Sequence, residues 1–296
     1  MSLVGLSPEP RLVMWAPPDD LAPFVSGYSL YAVGDDEAEP HRGAFEPAWA
    51  SLRIALSGGA AWRLKRARGD WFVPPRVSLF GPSSELVWSE SGAGILLGAG
   101  IRPRGWLRLF REPARAWANR VGEPVFTAKP SAIAERFASL SSDEAVREAF
   151  DALFRELIGP KLAEDPAIAR IETALVDPAI TSASDLAEAT GISLRSLQRL
   201  ADRAFGFPPK VLLRRARFLR SLHALRSSNP RQGAKIIDAN YTDYSHFIRD
   251  SHDFLGMSPQ AFLEYDMPLM RRSLELRSKV IGTPAQALDP APDTTG

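Results

Sequence analysis

Cysteine is absent from the 296-residue chain. Its absence excludes a disulfide framework, a thiolate metal site and a cysteine nucleophile, and it fits a reducing compartment. Histidine is scarce: there are four, and only His41 lies before residue 223. The others, His223, His246 and His252, are 23 and 6 positions apart, which matches no common ligand spacing. No metal, cofactor or catalytic residue is therefore expected. No segment approaches the roughly 18 uninterrupted apolar residues of a membrane span. The opening MSLVGLSPEPRLVMW has no basic start followed by an apolar run. No signal peptide is expected, and a cytoplasmic location is. Lysine is also rare, 6 against 30 Arg, but this bias runs along the whole chain and points to no one segment.

What is present divides the chain in two. A length of 296 residues suggests two domains at about 100–200 residues each. All seven Trp (Trp15, Trp49, Trp62, Trp71, Trp88, Trp106 and Trp117) fall before residue 118. In this first part, six short apolar-rich runs alternate with Gly, Pro and Ser turn signals: 24–33, 51–56, 61–66, 76–80, 85–90 and 94–101. They predict an antiparallel β sandwich or barrel with flanking helices, a short helix following at 105–110. Residues 131–158 show helical spacing, and 159–166 reads as a linker. The second part reads as helices at 167–176, 184–190, 194–205, 208–226, 231–239 and 243–254, with a seventh from Ser258-Pro259. The fold class is thus α+β. The expected layout is a β-rich domain at 1–125, a helical linker at 126–166, an all-α domain of seven helices at 167–266, and an extension at 267–296 whose Pro/Ala/Thr-rich end reads as disordered.

Charge is also unevenly placed. Residues 191–232 hold ten Arg or Lys and one acid, Asp202, so the window is +9 and the rest of a +1 chain is −8. A basic block in an otherwise acidic chain points to a polyanionic partner.

The block contains a motif. In SDLAEATGISLRSLQRL (184–200), Ser184 caps a short helix, Gly191 sits where the chain must turn sharply, and Ser193 caps the next helix. Leu194, Leu197, Leu200 and Ala204 or Phe205 form the predicted buried stripe. Arg195, Ser196, Gln198, Arg199, Asp202 and Arg203 fall on the other side. This is a helix-turn-helix layout, whose second helix enters the major groove, where Gln pairs with adenine and Arg with guanine. The pattern recurs in AKIIDANYTDYSHFIRD (234–250). Asn240 is placed at the turn as a residue tolerant of left-handed backbone. Phe247 and Phe254 point inward, and Asp243, Tyr244, Ser245, Ile248 and Arg249 outward. His246 supports the second motif or touches phosphate.

Residues 167–266 resemble the DNA-binding domain of AraC/XylS transcription regulators. The resemblance rests on LAEATGISLRSLQR (186–199), PPKVLLRRARFLR (208–220), NYTDYSHFIRD (240–250) and GMSP (256–259). It implies two recognition helices in adjacent major grooves, with Arg195, Gln198 and Arg199 at base-contacting positions of the first, and Tyr244, Ser245, Ile248 and Arg249 at those of the second. The full set expected at DNA adds Ser196, Arg203 and His246. The chain departs from the family at Ala201 and Ser251, where Phe is usual, and at Asn240, where Gly is usual. Phe205 is a candidate to refill the first gap.

Over GILLGAGIRPRGWLRLFREPA (94–114) the front part resembles the cupin-like sensor domain of some such regulators. That implies an organic effector or a partner surface, with Trp49, Trp62 and Trp88 as pocket candidates and Arg53 and Arg102 as anion partners. The expected function is sequence-specific transcription regulation on double-stranded DNA, without enzymatic activity. A small-molecule effector, RNA polymerase and a second copy of the chain are the other partners implied. The alternatives are an architectural DNA-binding protein and, more remotely, a cupin-like enzyme fused to a DNA-binding domain.

Overall fold

The computed structural model describes residues 10–34, 40–56, 62–126, 128–160, 165–228 and 236–292. The first part holds ten strands: β1 (Arg11–Trp15), β2 (Val25–Val33), β3 (His41–Phe45), β4 (Ala50–Leu56), β5 (Arg63–Arg66), β6 (Trp71–Phe72), β7 (Val77–Phe80), β8 (Val87–Ser91), β9 (Gly94–Ile101) and β10 (Val121–Gly122). All pairings are antiparallel, in a six-stranded sheet of order β1-β2-β9-β4-β7-β10 and a four-stranded sheet of order β3-β8-β5-β6. The six expected strands are present. The four unexpected ones, β1, β3, β6 and β10, are short and lie at or near sheet edges, where burial imposes little alternation.

Strand periodicity explains both faces of the large sheet. On β2 and β4, Tyr28, Leu30, Ala32, Leu52, Ile54 and Leu56 are buried on one face. The alternate residues Ser29, Tyr31, Ser51 and Arg53 turn to the other side, toward the small sheet. The apolar face is covered by α2 (Pro130–Ala138) and α3 (Asp143–Ile158), whose Ile133, Phe137, Phe150 and Phe154 share its core. Tyr28 stacks on Phe150 at 4.9 Å, and its hydroxyl donates to Asp151 at 2.9 Å. The segment read as a linker therefore belongs, from 130 to 158, to the core of the β-domain. α1 (Pro103–Leu109) follows β9, with Trp106 buried.

The second part contains α4 (Ala167–Val176), α5 (Ala183–Thr190), α6 (Leu194–Leu200), α7 (Pro209–Ser227), α8 (Tyr244–Leu255), α9 (Pro259–Leu263) and α10 (Pro268–Ile281). The helix expected at 231–239 lies largely outside the described residues. α10 was not expected, and neither was the order beyond it. Ala285, Ala287 and Asp289 are buried, so up to residue 292 the Pro/Ala-rich end is packed rather than loose.

The two parts share apolar packing. Trp49 and Leu86 of the β-domain lie in the same buried cluster as Leu197, Phe205, Phe218, Phe247 and Phe254. Ion pairs cross as well. Glu46 meets His223 Nε2 and Arg226 Nη2, each at 2.8 Å. Burial alone would raise the Glu46 carboxyl, but the His223 ring and the Arg226 guanidinium beside it outweigh burial and hold it down at about 2. Helix α7 thus lies in the core of the helical half and is also a wall of the interface.

Candidate functional site

The first motif is built as a helix, a tight turn and a second helix. Ser182, not Ser184, caps α5: its hydroxyl accepts from Asp185 N–H, and the Asp185 carboxylate accepts from Ser182 N–H, a reciprocal capping box. Gly191 ends α5 at φ +68°, which a Cβ would strain. Ser193 then caps α6 through Ser196 N–H. Leu197 and Leu200 point into the core. Leu194, expected there too, is 53% exposed. It is the first residue of the helix, ahead of the point where the stripe meets the core.

At the back of α6 the chain widens into a π turn, Ala201–Phe205. Phe205 is fully buried there, edge-on to Trp49 at 5.4 Å, in the same apolar cluster as Ala201.

The second motif reaches a similar frame by other chemistry. Asn240 is not left-handed: among the described non-glycine residues only Asn119 has positive φ. Asp238 shapes the turn instead, accepting from Asn240 N–H and Nδ2, each at 3.0 Å. Asn240 Nδ2 also donates to Pro178 O. Asp243 caps α8 through His246 N–H at 2.7 Å. Ser251 is fully buried, and its hydroxyl donates to Met257 O at 2.7 Å, tying α8 to the turn before α9. A Phe there would contribute packing, whereas Ser contributes a satisfied hydrogen bond.

The outward faces are open. Arg195, Gln198 and Arg199 on α6, Arg203 on the π turn, and Tyr244, Ser245 and Arg249 on α8 are exposed. Ser196 and Ile248 are half-buried. Gln198 Nε2 reaches Asp202 at 3.3 Å. Among the described residues, Arg195, Arg199, Arg203 and Arg249 have no hydrogen-bond or ion-pair partner. His246 is an internal support: its ring lies edge-on to Tyr241 and within 3.4 Å of Arg217 Nη2 and Thr242 Oγ1.

A cavity of about 270 Å³ lies between the two sheets of the β-domain. It exists because the large sheet turns small side chains inward. At Gly98 a Cβ would come within 2.3 Å of Arg53 Nη1. Arg53 stands on this wall with Ser29 Oγ at 3.4 Å and the Phe45 ring 4.9 Å beneath its guanidinium. Among the described residues its Nε has no partner and no carboxylate pairs with it. Burial pulls its pKa below the ordinary arginine value.

Trp49 and Trp62 also line the cavity, but two expected residues do not. Trp88 packs against Phe262 and Tyr265 at 6.1 and 4.9 Å. Arg102 is buried against Glu172 of α4, at 3.3 Å. Residues that sequence reasoning missed, Arg277 and Gln286 among them, come from the C-terminal segment. Their distance along the chain gave no local signal. Among the described residues no group of three or more His, Asp or Glu is placed to hold a metal ion, and no helix is long and apolar enough to cross a membrane.

Two capped helix-turn-helix frames with outward basic faces define a DNA-binding module. Residues 186–265 match the family model described as a helix-turn-helix domain, and over this stretch the chain carries an AraC-type DNA-binding domain, the module of transcription regulators. No curated protein sequence matches the chain. Among solved structures, ToxT from Vibrio cholerae is similar at 11% identity, covering 86% of this chain and 97% of that one, with a TM-score of 0.42. ToxT from strain SCE256 with bound unsaturated fatty acid is similar at 12% identity, covering 86% and 94%, with a TM-score of 0.44. These likenesses are too distant to assign any residue of this chain.

Proposed function

We propose that this protein is a sequence-specific transcription regulator controlled by a small molecule. Helices α6 and α8 read adjacent major-groove segments, and the β-domain cavity holds the effector. The observation that carries the first part is the set of exposed arginines on α6, without partners among the described residues, in a frame where Arg214, Arg217, Arg220 and Arg226 of α7 are paired with carboxylates. Arg195, Gln198 and Arg199 supply the forked and amide donors that read base edges. Arg203 adds a cation for phosphate.

The effector reading rests on Arg53. A guanidinium without a counterion, on the wall of a largely apolar cavity, favours a ligand with an apolar body and one anionic group. Trp49 and Trp62 offer that body aromatic surface.

Selection of random duplex DNA by the full chain, at two salt concentrations, tests the DNA reading. The expected result is a motif of two blocks about ten base pairs apart, one helical turn. Binding that falls with salt and enriches no motif overturns sequence-specific regulation and leaves the architectural alternative.

A further inference from the structure

The C-terminal segment runs back from the second helix-turn-helix motif across the β-domain. Met267 and Met270, at its start, are buried in the core of the DNA-binding half. One face of α10 then lines the cavity: Met270, Ser273, Leu274, Arg277 and Ile281 recur at helical spacing. Gln286 extends this lining past the end of the helix.

The sheet is cut back to receive it. A Cβ at Gly27 would lie 2.9 Å from Ile281 Cδ1, and one at Gly100 would lie 2.7 Å from Gln286 Nε2. Specific contacts hold the segment down. Ser273 Oγ is 2.6 Å from Tyr31 OH, Gln286 Nε2 donates to Ala50 O at 3.1 Å, and Arg272 Nη1 donates to Pro10 O at 3.2 Å. Beyond the helix, Asp289 is buried against Arg277, with oxygens at 2.9 and 2.5 Å from its guanidinium. Arg102 donates to Pro290 O at 2.9 Å and to Glu172 of α4 at 3.3 Å. The tail therefore ends in a buried ion cluster that joins β-domain, strap and DNA-binding domain.

We propose that residues 267–290 form a strap that gates the effector cavity, closed by α10 over the sheet and tied down at Arg102, which donates to Pro290 O and lies 3.9 Å from Asp289, itself positioned within the strap by Arg277. The proposal rests on the reading of the cavity as an effector site. The strap begins at the second recognition unit and ends beside α4, so lifting it for ligand entry loosens contacts at both ends of the DNA-binding domain. Glu172 belongs to the same cluster: burial, only partly offset by Arg102, raises its carboxyl to about 7.

The cysteine-free chain permits a clean test. The double variant P10C/R272C, joined by a short bis-maleimide, pins α10 to the start of β1 outside the cavity. Each single variant treated with the same reagent is the control. The probe is 8-anilinonaphthalene-1-sulfonate, apolar and singly anionic, and its association is followed by stopped-flow fluorescence. The phase weakened by Arg53→Met is the cavity phase. Cross-linking is expected to slow that phase about tenfold or more, as for a lid that must open before entry. Asp289→Asn, without a cross-link, is expected to speed it severalfold. A cavity phase of unchanged rate in the cross-linked protein overturns the gate and leaves the effector reading standing. An unchanged rate in Asp289→Asn removes the ion cluster as the tie. The absence of any Arg53-dependent phase, in every form, overturns the effector reading and the gate with it.

Discussion

Helices α6 and α7 carry most of the arginines that make residues 191–232 the basic block of the chain, and they hold them in opposite states. On α6, Arg195 and Arg199 are exposed and without partners among the described residues. On α7 the arginines are taken up within the fold. Arg214 is paired with Asp250 and Asp253, each at 2.6 Å, Arg217 with Asp250 at 3.3 Å, Arg220 with Asp238 at 2.7 Å, and Arg226 with Glu46 at 2.8 Å. Arg215 is buried without a carboxylate: it donates to the carbonyls of Ala48 and Ser83 at 3.0 and 2.8 Å and stacks 4.2 Å over Trp49. The acids come from outside the basic window, from the part of the chain whose net charge is −8. A formal charge of +9 is therefore not an electrostatic footprint. What faces a polyanion is the subset of cations the fold leaves unpaired; among the described arginines of the two motifs these are Arg195 and Arg199 on α6, Arg203 on the π turn and Arg249 on α8, and Lys210 in the first turn of α7 joins them.

Arg215 gives the largest expected effect and tests the structural side of this contrast. Burial pulls its guanidinium down to about 9, so it remains charged at neutral pH. Arg215→Met keeps much of the volume but takes the donor from the Ser83 carbonyl, while Ala48 O keeps Ser83 N–H, and it removes the cation from the Trp49 ring. The expected loss is about 2–4 kcal/mol in chemical denaturation. The base preference in the duplex selection should not change. A changed preference with unaltered stability would place Arg215 at DNA and erase the distinction between the two helices.

Arg199 tests the other side. Its removal to Ala should change stability by less than about 0.5 kcal/mol, since it is exposed and has no hydrogen-bond or ion-pair partner among the described residues. It should weaken specific binding by about 1–3 kcal/mol and relax preference at one base pair. Equal weakening on all duplexes, measured by titration of matched and single-mismatch sites, would make Arg199 a phosphate contact instead.

The contrast also shows what could be read in advance. The helix-turn-helix frame was legible because local physics makes it: Gly191 for a left-handed turn, Ser193 for a cap, Leu197 and Leu200 at helical spacing. The central strands of the large sheet were legible for the same reason. What stayed hidden depends on partners distant in sequence. Arginines 214, 217 and 220 gave no sign of Asp238, Asp250 and Asp253 across the helix pair. Trp88 and Arg102 fitted a pocket by residue type, yet lie against Tyr265 and Glu172. The Ser251–Met257 bond satisfies a position that looked defective, by a route that a motif comparison cannot score. The strap was missed because its sequence is rich in Pro and Ala, and its order comes from Gln286 and Pro290 meeting Ala50 and Arg102, more than a hundred positions away.

Leu194 carries the smallest expected effect and the finest distinction. Periodicity places it on the buried stripe with Leu197, but the fold leaves it 53% exposed at the N-terminal end of α6, the end of a recognition helix that approaches base edges. If it were a core residue, Leu194→Ala would cost about 2–5 kcal/mol, as expected for Leu197→Ala. At an exposed position it should cost less than about 0.5 kcal/mol. An exposed leucine there is suited to apolar contact with a thymine methyl group. The same substitution should then reduce preference for thymine at a single position of the selected motif, leaving the Arg199-dependent position unchanged. Denaturation of Leu194→Ala beside Leu197→Ala, followed by selection with the former, separates the outcomes. A large loss of stability would return Leu194 to the core, and an unaltered motif would leave it as an exposed side chain that the DNA does not meet.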